Sequence, residues 1–104
     1  MADIAQWIYF IHPPREDFVA TITDEEAALM AGPHSDYLQR LYDAGTLLLA
    51  GPTFGTPHND GISVFEAPDR AAAEAIMNAD PAITSGVFTG ELRQMRVAFL
   101  RRRD

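Results

Sequence analysis

The stretch IAQWIYFIH, residues 4–12, is the one from which the fold can be worked out. It is rich in aromatic and β-branched residues and is stopped by Pro13-Pro14, the pattern of a β-strand. Alternation puts Ile4, Ile8 and Phe10 on one side and Trp7, Tyr9 and Ile11 on the other. An antiparallel strand with one solvated face shows a polar side. This one does not, so each face of its sheet is expected to be covered.

Outward from that strand the chain alternates in type. Residues 15–22 read as an irregular connection. Thr23-Asp24-Glu25-Glu26 opens a helix, with Thr23 as N-cap and Glu26 closing a capping box. Gly32-Pro33 breaks or kinks it, and Pro33 suits the first turn of a renewed helix. His34, Tyr37, Leu38, Leu41 and Tyr42 then form one amphipathic face, which Gly45 terminates. Residues 46–50 (TLLLA) and 62–66 (ISVFE) are short strands on either side of a Gly- and Pro-containing loop. Pro68 and Asp69 start a second helix, DRAAAEAIMNA, with Ala72, Ala75, Ile76 and Ala79 as its expected packing face, and Asp80-Pro81 ends it. Ile83 to Gly86 read as a turn, and residues 88–100 as a long last strand.

The order is β-α-β-β-α-β, an α+β arrangement that matches a ferredoxin-like antiparallel sheet with both helices on one face. The 104 residues fit a single domain, 1–104, with 47% apolar composition. Helices on one face leave the other side of residues 4–12 to a partner, most simply a second copy in a homodimer, or to a ligand cavity. Nothing approaches the ~20 apolar residues of a membrane span, and no secretory leader opens the chain, so a cytoplasmic location is expected. The net charge of −7 argues against nucleic acid as a partner. Arg101-Arg102-Arg103 reads as a solvated tail. Cysteine is absent, which removes disulfides and thiolate metal sites. His12, His34 and His58 lack the spacing of metal ligands, and no glycine-rich phosphate loop is present, so neither a metal nor a cofactor is expected.

His34-Ser35-Asp36-Tyr37-Leu38, then Gly45-Thr46-Leu47-Leu48-Leu49-Ala50-Gly51-Pro52, then Asp80-Pro81 and Gly86 together closely resemble the YciI-like (YCII-related) family. The resemblance runs from about Arg15 to Arg96. It implies a ferredoxin-like dimer of the α/β-barrel type with a pocket between sheet and helix. It also implies a His–Asp pair at the active site, carried over here to His34 and Asp80. One branch of the family resembles muconolactone isomerases and acts as a dehydrochlorinase on chloroaromatics.

In that role Asp80 would set the tautomer of His34 and stabilise its imidazolium, leaving the other ring nitrogen to move a proton. The residues alone fit a core histidine bonded to a carbonyl as well, and Asp80 before Pro81 is also a good N-cap. Arg15 is a candidate for pairing with an anionic substrate group, and the resemblance places an arginine in this loop. Tyr9 and Tyr37 are candidates for the substrate pocket, although packing explains both. His12 and His58 are assigned no chemistry. The expected activity is a cofactor-independent isomerase or lyase, of dehydrochlorinase type, acting on a small cyclic or aromatic molecule. The alternative is a non-catalytic dimeric module that binds a small molecule or another protein.

Overall fold

In the computed structural model the described residues are 5–55, 57 and 59–101; Ile4, His58 and Arg102-Arg103 lie outside them. The first strand, β1, spans Ala5–His12 and runs through the middle of a four-stranded antiparallel sheet. Its neighbours are β3 (Gly61–Ala67) and β4 (Thr89–Met95), and β2 (Leu47–Pro52) forms the edge beyond β3. The resulting order, β2-β3-β1-β4, is that of a ferredoxin-like sheet.

Register carries the two-sided pattern of β1 across the sheet. Trp7 pairs with Phe65 and Tyr9 with Ser63, so their side chains share the helix-covered face. Trp7, Tyr9, Ile11 and Phe65 are all buried in one core with Phe18, Met77, Ala82 and Phe88. The indole of Trp7 donates to the Ala67 carbonyl at 3.1 Å, so burying it leaves no orphan donor. On the opposite face Ile8 and Phe10 are only half-buried.

The helical layer differs from the sequence reading in four places. Residues 15–22 include a turn of helix, α1 (Phe18–Thr21), which puts Phe18 into the core against Phe88 at a 5.1 Å centroid distance. Helix α2 (Asp24–Leu29) does start from the Thr23–Glu26 capping box. It then passes without a break into a π-helical turn, Met30–His34, and on into α3 (Ser35–Asp43). Helix α4 (Arg70–Asn78) buries Ala73 and Met77 and leaves Ala75 and Ala79 exposed, one position round from the expected face. The segment after Asp80 is a short helix, α5 (Pro81–Thr84), closed by Gly86 at φ 82°. The last strand stops at Met95, and Phe99 beyond it is 97% exposed. Beyond Met95 the Val97 N–H goes to the Gln6 side chain and not to a strand backbone.

Two glycines on strands flanking β1 matter to packing. Gly61 and Gly90 both pair with Ile11. A Cβ on Gly90 would meet Ile83 at 2.7 Å, so its absence lets α5 approach the sheet.

Candidate active site

The site begins with the proline in the helix. Pro33 has no N–H, and in a regular α-helix its ring would collide with the carbonyl four residues back. The wider π turn accommodates it, and such turns recur at functional sites. The turn ends on His34, against α5.

Helix α5 starts at Asp80. Its Oδ1 accepts the Ala82 N–H at 2.9 Å, and Pro81 occupies the first helical position. The same oxygen lies 2.8 Å from His34 Nδ1, so capping and histidine contact coexist. The other oxygen, Oδ2, accepts the Tyr9 hydroxyl at 2.7 Å. Asp80 is completely buried (0% exposed), and three donors satisfy it. The His34 side chain is 12% exposed. A carboxylate only accepts, so Nδ1 carries the hydrogen, and in the neutral ring it is Nε2 that has the lone pair.

Tyr9 stands behind the pair. Burial, followed by the Asp80 charge, pushes its phenol far above the ordinary tyrosine value, so it remains a hydroxyl donor at any working pH. Ser63, its partner across β1 and β3, sits beside the same phenol. A chain of contacts thus runs Ser63–Tyr9–Asp80–His34.

His34 and Ser63 both border a pocket of about 210 Å³ on the helix side of the sheet. Its walls are mainly apolar, from Ile11, Phe18, Met30, Leu38 and Phe88, with Phe54 exposed at the mouth. A cavity of about 150 Å³ admits benzene, so one substituted ring fits. Thr53 and Asn59, which the sequence reading passed over, are its other polar side chains. Ser63 was missed as well, though a serine in the middle of an apolar strand was a signal that could have found it.

The remaining candidates lie elsewhere. Tyr9 is behind the pocket wall. Tyr37 donates to the Ile76 carbonyl at 2.6 Å and so ties α3 to α4. Arg15 does not line the pocket. Its guanidinium forms a fork with Glu26 at 2.7 and 2.9 Å and reaches Thr21. That fork, with the Thr23 backbone, holds the Glu26 carboxyl down to about 2. Arg15 therefore joins α1 to the start of α2. His12 has both ring nitrogens occupied, by Asp60 at 2.8 Å and Glu91 at 2.9 Å. Among the described residues no group of three His, Asp or Glu side chains is placed to hold a metal ion, and no helix is long and apolar enough to cross a membrane.

A small ferredoxin-like α+β domain with an enclosed histidine at a ring-sized pocket is thereby defined. More particularly, the chain belongs to the YCII-related domain family, whose model matches residues 7–96. No curated protein sequence matches it. Among solved structures it is similar to 5-chloro-2-hydroxyhydroquinone dehydrochlorinase (TftG) from Burkholderia phenoliruptrix, in complex with 2,5-dihydroxybenzoquinone. The TM-score is 0.63 at 18% identity, covering 88% of this chain and 93% of that one, a likeness of fold.

Proposed function

We propose that this protein is a small, cofactor-independent enzyme that acts on a hydroxylated aromatic or related cyclic metabolite, with His34 as proton carrier. Asp80 orients the ring and stabilises the imidazolium formed when Nε2 takes a proton. The observation that carries this reading is the buried Asp80 at 2.8 Å from His34 Nδ1, with the same imidazole bordering a ring-sized pocket. In an elimination, Nε2 removes a substrate proton, the electron pair forms the new π bond and chloride departs. In an isomerisation, the proton returns at another carbon. Either needs only a base that becomes an acid, and such a group contributes ~10²–10⁴-fold in rate.

The substrate class rests on the family and on the dehydrochlorinase of similar fold. Chloride release from 5-chloro-2-hydroxyhydroquinone, read with an ion-selective electrode, is the test. His34→Ala should slow it by ~10²–10⁴-fold in a protein that still folds. Equal rates in the variant, or no release by the unmodified protein, would sink the proposal.

The outer sheet face supports a second part of the reading, a homodimer. Ile8, Phe10 and Ile62 are half-buried there, Leu49 is 44% exposed, and a second copy would cover them. Sedimentation should give twice the chain mass, and Phe10→Glu should give a monomer. A non-catalytic dimeric binding module is the reading left if the dimer forms and no His34-dependent turnover is found.

A further inference from the structure

We propose that this pocket selects an uncharged ligand that donates hydrogen bonds, such as a phenolic ring, and rejects carboxylate anions. The inference rests on reading the pocket as the substrate site, and it adds the ligand's charge and hydrogen-bond polarity.

The polarity follows from where each polar side chain has placed its hydrogens. The pocket has four polar side chains among the described residues: His34, Thr53, Asn59 and Ser63. His34 Nδ1 donates to Asp80. The Thr53 hydroxyl donates to the Asp60 carbonyl at 2.7 Å. The Asn59 amide nitrogen donates to the Glu16 carbonyl at 2.7 Å, which fixes the amide orientation, since a flip would set oxygen against oxygen. Ser63 sits beside the Tyr9 phenol. What remains toward a ligand is a set of acceptors, Nε2 of the neutral His34 ring, the Thr53 oxygen and Asn59 Oδ1, with the Ser63 hydroxyl beside them. Asn59 Oδ1 is buried without a hydrogen-bond partner among the described residues, a state a ligand hydroxyl would relieve.

Charge points the same way. Among the described residues no lysine or arginine lines the pocket. Arg15, the nearest candidate in the sequence for an anion contact, is held by Glu26. The buried Asp80 carboxylate behind His34 would repel an anion placed against the ring. A carboxylate would therefore give up its hydration to face mainly acceptors, with no arginine among the described lining residues to pair with.

Three probes separate these terms: hydroquinone, 1,4-dimethoxybenzene, which lacks the donors, and 4-hydroxybenzoate, which adds the anion. Binding is followed by shifts in the amide spectrum of the full-length protein at neutral pH. Hydroquinone should bind tightest, with each of the others weaker by about tenfold or more. Placing a cation at the exposed mouth, Phe54→Arg, should tighten 4-hydroxybenzoate several-fold and narrow or reverse its disadvantage against hydroquinone. The proposal is overturned by equal binding of either analogue, by absence of hydroquinone binding at millimolar concentration, or by an unaltered 4-hydroxybenzoate affinity in Phe54→Arg. These readouts need no turnover. Failure of the His34 rate test with the probe order intact would remove the catalytic reading only, and a reversed order with turnover intact would remove only the selection.

Discussion

Two histidines in this molecule each sit 2.8 Å from an aspartate, on opposite faces of the same strand system. His12 lies on the outer face, stacked on Phe10, with its side chain 35% exposed and both nitrogens held by carboxylates. His34 lies on the helix side, 12% exposed, with one nitrogen held by a fully buried aspartate and the other left over. The difference shows that nearness to an aspartate does not make a histidine reactive. A ring clamped at both ends joins β1 to its neighbours. A ring fixed at one end beside a cavity can exchange a proton with what the cavity holds.

The strongest way to break the comparison is to remove the carboxylates. Asp80→Ala leaves the Tyr9 hydroxyl and the Ala82 N–H unpaired in the core, and should destabilise the fold by about 3–5 kcal/mol in chemical denaturation. Asp60→Ala, at a part-exposed site, should change it by less than about 1 kcal/mol. Comparable losses from both would show that the two sites are energetically alike.

Next in size is a split between activity and stability. His34→Gln should lose ~10²–10⁴-fold in turnover while its melting temperature changes little. His12→Gln should leave turnover unchanged. Smaller again is Tyr9→Phe, which leaves Asp80 Oδ2 without its donor and should destabilise by about 1–2 kcal/mol with the fold intact.

The smallest effect separates the histidines by pH. The hydrogen bond that His12 donates to Asp60, then the one it donates to Glu91, raise the His12 pKa above its ordinary value, although partial burial opposes them. A raised folded pKa stabilises fully below the unfolded value of about 6.5, and that stability is lost as pH rises through the folded value. The His12 ring holds the Glu91 carboxyl below its usual range, so the acceptor stays charged at mildly acid pH. The melting temperature should therefore exceed that of His12→Gln by roughly 2 °C near pH 6, and the gap should close by about pH 9. A gap that widens with pH would contradict the clamp.

Much of this was legible because it is local. The Thr23–Glu26 capping box, the helix start at Asp69, the glycine stop at Gly45 and the alternating faces of β1 are set by residues a few positions apart. Other expectations shifted with packing. The face of α4 moved round by one position because Ala73 and Met77, not Ala75 and Ala79, meet the sheet. Arg15 went to Glu26, eleven residues on, a pairing made across the intervening turn of helix and not legible from local pattern. The π turn replaced a break because a wider turn accommodates Pro33 while keeping the helix continuous.

The sequence by itself determined the order of elements, and hence a ferredoxin-like sheet with a strand apolar on both sides. Through its motif it also singled out His34 and Asp80. Tertiary structure alone decided that Asp80 is shared by three donors, that Tyr9 stands behind it and not in the pocket, and that Ser63, Thr53 and Asn59 border that pocket. The physical reason is range. Periodicity and capping act over one or two turns of chain, whereas the 46 residues between His34 and Asp80 and the 71 between Tyr9 and Asp80 are closed only when the sheet and its helices pack.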